Sequence, residues 1–445
     1  MSTILEEYNK MHPTSFKLYE ESKQLFPDGV THDVRFLSPF PIYMDHGKGP
    51  RKWDVDGNEY VGYVMGHGSL ILGHCHPAIV EELRSQAGRG THLGFNTTLE
   101  LRWARAVKAL VPSVERIRFH SSGTEATLMA IRLSRSFTGK TKLVKFDNHF
   151  HGWHDYVAVA AEKYSSGGIP SNAAETVIVL PVGNIDAFEK VLKKDRDIAA
   201  VILEPTGAKG GALPIQPQFL KQLREVTQRY GVVLIFDEVV TGFRVGPGGA
   251  QVRFGITPDL STFAKIAAGG MPGGAVGGKA EILDMISHRK DQEWNRLKRV
   301  AHPGTYNANP MSAAAGARCL EIIAQEPINK IADEAASLLK SELNGVLKRK
   351  NIKGFVHGHG ALAYLVWGVD YDGDMDICTA PHDALLGSIN SERTPHFRRA
   401  MLNNGVDVMS GHQFIFSCTH GKKEVEDTVE AFEKAATQMQ KEGIL

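Results

Sequence analysis

The chain has 445 residues, 42% hydrophobic and 23% charged, enough for two or three domains around a large core. A formal net charge of +1 lacks the basic footprint of a nucleic-acid binder. No apolar run reaches the length of a membrane span.

The cysteines, Cys75, Cys319, Cys378 and Cys418, are far apart and match no metal spacing, which suits a reducing compartment. The opening MSTILEEYNKMHPTSF has acidic residues and no apolar core, so it reads as no signal peptide, and the expected location is cytoplasmic. His149, His151 and His154 cluster, as do His74 and His76. Without cysteine partners or an HExxH spacing, turn and supporting roles are expected for them, and no metal.

In chain order, residues 1–74 read as a helix, an extended proline-bearing segment (SPFPIYM) and a hairpin, WDVDGNEYV, with Asp-Gly at its turn. From 75 to 325 strands and helices alternate. Ile117–His120 is a strand. Thr124–Thr138 is a helix with apolar positions at Ala126, Met129, Ala130, Leu133 and Phe137, ended by Gly139. Lys142–Phe146 and Ala199–Leu203 are strands, Gln218–Tyr230 is a helix closed by Gly231, and Val232–Phe236 is a strand. A short run, Asp259–Ala264, then leads to Lys265. Residues 326–445 read as helices around short strands, with an amphipathic helix near Lys422–Met439 at the end. The predicted fold class is α/β. A large domain over 75–325 has a mostly parallel sheet covered by helices, and 1–74 with 326–445 form a smaller α+β domain.

Val232–Val239 reads VVLIFDEV, an apolar β-branched run interrupted by Asp237 near its end. Open α/β sheets place ligands at strand ends. A carboxylate and a lysine presented from two strand ends are what pyridoxal phosphate requires. The aldehyde needs a lysine for its Schiff base, and the pyridine nitrogen needs a carboxylate to stay protonated so that the ring accepts electrons. The alternative reading is a strand-end aspartate that caps and a surface lysine.

The segment Phe119–Thr127, FHSSGTEAT, lies between a strand and a helix and is a candidate anion site. Ser122 and Glu125 have capping-box spacing, and Gly123 allows close approach of a phosphate. Phe150 either stacks on a ring or packs in the core. Val239, two residues beyond Asp237, is expected to reach the other ring face by strand alternation. His302–Thr305 is a polar loop suited to a second phosphate contact.

These segments follow one another in the order of a known family. SSGTEAT, FHGWHD, the LEP at Leu203–Pro205, FDEVVTGFRV at Phe236–Val245, PDLSTFAK at Pro258–Lys265, GGMPGGAVGG at Gly269–Gly278 and HPGTYNANP at His302–Pro310 resemble class III aminotransferases. The closer resemblance is to the glutamate-1-semialdehyde aminomutase branch, from about Gly29 to the C-terminal helix. It implies fold type I and a homodimer with shared active sites. It also implies that Lys265 forms the Schiff base, that Asp237 pairs with the ring nitrogen, and that Gly123 and Thr124 contact the phosphate with Thr305 of the partner subunit, and Ser122 is placed among the cofactor-binding residues. Glu204 joins the cofactor-binding residues on the same ground. Phe150 falls where the family usually has tyrosine, which keeps stacking and loses a hydroxyl.

For the substrate, Arg35 in GVTHDVRFL matches an arginine that binds a carboxylate in that branch, a task suited to the guanidinium fork. Two departures speak against the mutase. His67 replaces a tryptophan, and SGHQFIFS at Ser410–Ser417 replaces a segment carrying a glutamate. The text is also similar to D-phenylglycine aminotransferase. The expected activity is therefore transfer of an amino group from a carboxylate-bearing amino acid, α or β, to a keto acid. The aminomutase, or a racemase or decarboxylase on the same scaffold, is the alternative. His412 either lines the substrate pocket, with Arg35 and His67, or sits in a surface loop.

Overall fold

The computed structural model describes residues 3–159 and 167–445. It divides into two compact units, Ala78–Asn329 and Met1–Pro77 with Lys330–Leu445.

The large unit is built on a seven-stranded sheet among the described residues. Its strands are β1 (Arg116–His120), β2 (Lys142–Phe146), β3 (Val177–Leu180), β4 (Ile198–Leu203), β5 (Val233–Asp237), β6 (Leu260–Ala264) and β7 (Gly274–Gly278). Their spatial order is β1-β7-β6-β5-β4-β2-β3. β7 runs antiparallel to both of its neighbours, and the remaining pairs are parallel.

Period-two alternation divides each central strand between two cores. Val233 and Ile235 of β5 and Ala200 and Ile202 of β4 point to one face, where Met129, Ala130 and Leu133 cover them. Leu234, Phe236, Val201 and Leu203 point to the other, where Phe219, Leu220 and Leu223 do so. Burial on both faces explains the unbroken apolar text of these strands. The covering helices are the predicted ones, Gly123–Thr138 and Pro217–Tyr230, each closed by a left-handed glycine, Gly139 and Gly231. β7 is a finding beyond the sequence reading, which saw only a glycine-rich stretch. Glycine is required there because a Cβ on Gly274 would lie 2.2 Å from the Ser122 carbonyl oxygen.

The small unit holds the predicted hairpin, with Arg51–Asp54 paired antiparallel to Glu59–Gly62. A second sheet joins Gly354–His357, Leu362–Trp367 and Gln413–Ile415. Its core gathers Leu339, Leu343, Leu365, Phe397, Phe414 and Phe432. No helix among the described residues is long and apolar enough to cross a membrane.

Candidate active site

The sheet brings three loops of the large unit together beyond the C-terminal ends of β1, β5 and β6. β5 ends on Asp237, which is buried. β6 ends on Ala264, and the chain then turns sharply at Lys265, held at φ +54°. That left-handed geometry is unusual for a residue with a long side chain and strained enough to need support from its surroundings. The support is visible. Trp103 Nε1 donates to the Ala267 carbonyl at 2.7 Å. A Cβ on Gly316 would lie 2.6 Å from that same carbonyl oxygen.

β1 leads into the helix whose N-cap is Ser122. The Ser122 hydroxyl accepts the Glu125 N–H at 3.2 Å. The second arm of the expected capping box is shifted by one residue, since the Glu125 carboxylate takes the Ser121 N–H at 2.6 Å rather than that of Ser122. The Gly123 and Thr124 N–H groups make no hydrogen bond to a described residue. They are open donors at the positive end of the helix dipole.

Gly123 ties the loops to one another. A Cβ there would meet the Val239 methyls at 3.0 and 3.1 Å and the Ala264 Cβ at 3.4 Å. Val239 is brought there by a route other than the expected one. The strand stops at Asp237, so a turn places Val239, not strand alternation, and its N–H donates to Asp237 Oδ1 at 3.1 Å.

Asp237 is held from three sides. Besides Val239, the Thr262 hydroxyl donates to Oδ1 at 3.2 Å, and His151 Nδ1 donates to Oδ2 at 2.7 Å. Burial pushes His151 below its ordinary range against the opposing pull of Asp237. A neutral ring donating its Nδ1 proton to the carboxylate is the arrangement that results. His151 is fixed in turn by its own carbonyl, which accepts the Thr127 hydroxyl at 2.6 Å. Nothing in the sequence paired His151 with Asp237, which lies 86 positions away.

Glu204 braces the loop that carries Phe150. Its carboxylate accepts N–H groups from Phe150 at 3.0 Å, Lys209 at 3.1 Å and Gly210 at 2.7 Å. Burial, with the Asp237 charge nearby, pushes Glu204 up to about 7, while these donors oppose the shift. The Phe150 side chain is 40% exposed, so it is no core residue in this chain. Burial lowers the Lys265 ammonium; Asp237 opposes that and Arg244 reinforces it.

The remaining sequence candidates are Thr305, Arg35, His67 and His412. Thr305 is exposed in a turn, and its carbonyl contacts His92 Nε2 at 2.7 Å. In the small unit, Arg35 ends a 3-10 turn and its guanidinium donates to the Thr31 hydroxyl at 2.8 Å. His67 sits at φ +54° and lines a cavity with Arg35. His412 is buried, its Nδ1 3.1 Å from the Ser410 carbonyl oxygen, and is absent from the wall of that cavity. A surface-loop position does not describe it.

A mostly parallel sheet with a lysine, a braced carboxylate and an open helix N-terminus at its strand ends defines a fold type I pyridoxal-phosphate enzyme. The residues fit that group, because the open Gly123 and Thr124 donors suit a phosphate and buried Asp237 suits a protonated ring nitrogen. The chain belongs to the class-III aminotransferase family, which it matches over residues 35–436. It is 37% identical over 440 residues to a glutamate-1-semialdehyde 2,1-aminomutase of Methanopyrus kandleri, covering 96% of this chain and 98% of that one. An omega-transaminase from Sphaerobacter thermophilus superposes with a TM-score of 0.84 at 31% identity, covering 96% of this chain and 98% of the other. A transaminase with PLP bound superposes at 0.87 and 29% identity, over 97% and 99%.

Proposed function

We propose that this chain moves an amino group on a carboxylate-bearing small molecule, with Lys265 as the residue that touches the reacting atoms. Pyridoxal phosphate supplies the aldehyde that holds the amino group and a ring that accepts electrons. Lys265 would hold the cofactor at rest. Once freed, its amine takes the proton from the carbon bearing nitrogen and later returns one, as base and then acid. Its lowered proton affinity favours the neutral amine needed for the first step. Asp237 keeps the ring nitrogen protonated, and His151 fixes the carboxylate that does so. Ser122, Gly123 and Thr124 hold the phosphate with Thr305 of the partner subunit. Phe150 and Val239 take the two ring faces, Glu204 sets the Phe150 backbone, and Arg35 takes the substrate carboxylate.

The similarity to a named aminomutase along 96% of the chain favours an internal 2,1 exchange on glutamate-1-semialdehyde and reverses the order expected from the sequence. That likeness carries the reading. A transaminase acting between an amino acid and a keto acid is the second reading, favoured by His67 and by the lack of a glutamate in Ser410–Ser417. One experiment separates them. Holoenzyme without any acceptor is given glutamate-1-semialdehyde, then a panel of α- and β-amino acids of both hands. Catalytic return of 5-aminolevulinate establishes the mutase. A single stoichiometric keto product, with loss of the cofactor's visible absorbance, establishes the transaminase. No reaction with any of them overturns both.

A further inference from the structure

The small unit contains a cavity of about 420 Å³, within the range of small-molecule sites. Phe26, Leu37, Ile42 and Met409 give it apolar walls, and Arg35, Lys52, His67, Arg398 and Asp407 also line it. Among the described lining residues Asp407 is the only carboxylate, and Lys52 Nζ is bonded to it. Arg35 bonds only the neutral Thr31 hydroxyl. Arg398 is half-buried and its Nε is shielded from water with no partner. Its guanidinium makes no hydrogen bond or ion pair to a described residue, although its field reaches Asp407. The charges therefore do not cancel, because two arginines line a partly apolar cavity whose carboxylate is already bonded to Lys52. A shielded N–H without a partner, such as Arg398 Nε, is costly. An incoming carboxylate relieves that cost through the planar donor fork.

We propose that Arg398 is a second carboxylate-binding residue beside Arg35, and that this cavity takes the acid end of a substrate whose adjoining carbon chain is apolar. The inference deepens the proposed function and rests on it for the word substrate. Its test reads binding, so it fails separately from the Lys265 chemistry.

Calorimetry on the holoenzyme compares hexanoate with hexanamide. The acid is expected to bind at least tenfold tighter in the unmodified chain. Arg398→Met is expected to weaken hexanoate about tenfold and hexanamide less than twofold, with Arg398→Lys between, and to raise KM more than it lowers kcat. Hexanoate is also expected to protect Arg398 of the unmodified chain from phenylglyoxal, read by peptide mass. That measurement decides the matter if the variants do not fold. Equal binding of acid and amide, a change below twofold in Arg398→Met, or no protection would each overturn the proposal.

Discussion

Lys265 and Asp237 carry the sharpest expectations at the level of single residues. Lys265→Ala is expected to lower turnover by at least roughly a thousandfold, because it removes both the covalent anchor and the proton carrier. The visible absorbance of the bound cofactor is expected to go with it, and full activity in that variant would sink the assignment. His151 acts through Asp237 and is a positioning residue. His151→Phe keeps a ring in the buried space and removes the donor. We expect kcat to fall about ten- to a hundredfold and the pH–rate profile to move. A purely structural role for His151 would change the melting temperature and leave the profile in place.

At the level of elements, the turn after β6 depends on parts of the chain far away in sequence. Trp103 lies on the helix Thr98–Leu110, and Gly316 on the helix Pro310–Gln325. Both meet the Ala267 carbonyl, two residues beyond the lysine. Trp103→Phe leaves that carbonyl without its donor and is expected to cost about 1–3 kcal/mol, read by denaturant unfolding. The helix N-terminus gives a second test. Gly152 has φ +104°, and a Cβ on it would lie 2.7 Å from the Thr124 hydroxyl oxygen. Gly152→Ala therefore has to displace Thr124. Weaker pyridoxal phosphate binding, by about tenfold or more, is expected in equilibrium dialysis, with the fold retained. The Ser122–Thr124 loop was legible from serine, glycine and glutamate spacing because caps are local chemistry. The glycines of β7 were not, because what explains them is contact with distant segments, Gly274 with the Ser122 carbonyl, Gly277 with Val114 and Gly278 with the Asp259 carbonyl.

For the whole molecule, buried histidines set the acid limit. His420 is 1% exposed, and burial lowers it from 6.5 to about 4. Its Nδ1 accepts the Ser417 N–H at 3.0 Å, so protonation there breaks a bond. A histidine depressed in the folded state contributes stability that is intact above about 6.5 and is lost as pH falls toward the folded value. Stability of the apo chain is expected to fall between pH 6.5 and 4, by up to roughly 3 kcal/mol from this residue. The thermal-unfolding pH dependence of His420→Gln should be flatter over that window. An unchanged slope would remove His420 as the cause. Glu204, raised to about 7, runs the other way, favouring the folded state below pH 4.5 and ceasing to as pH rises through 7. On assembly, Phe95, Trp153 and Tyr306 are 92%, 78% and 60% exposed in the large unit. The proposed homodimer gives these side chains a surface to test. Phe95→Asp is expected to shift sedimentation toward monomer and, on the proposed role of Thr305 of the partner subunit, to weaken cofactor binding.

The sequence by itself determined the α/β alternation, the strand that carries Asp237 near its end, the capped helix at Ser122 and the lysine at Lys265. Each of these rests on periodicity, capping or a strand end, signals contained within a few neighbouring residues. Only the tertiary structure decided which side chains meet. It set His151 on Asp237, Val239 on Gly123 by a turn, Trp103 under the lysine turn, and Arg398 with Arg35 in one cavity. The physical reason is that these contacts join residues far apart along the chain. Sheet order and helix packing fix which of them come together, and no local pattern encodes that proximity.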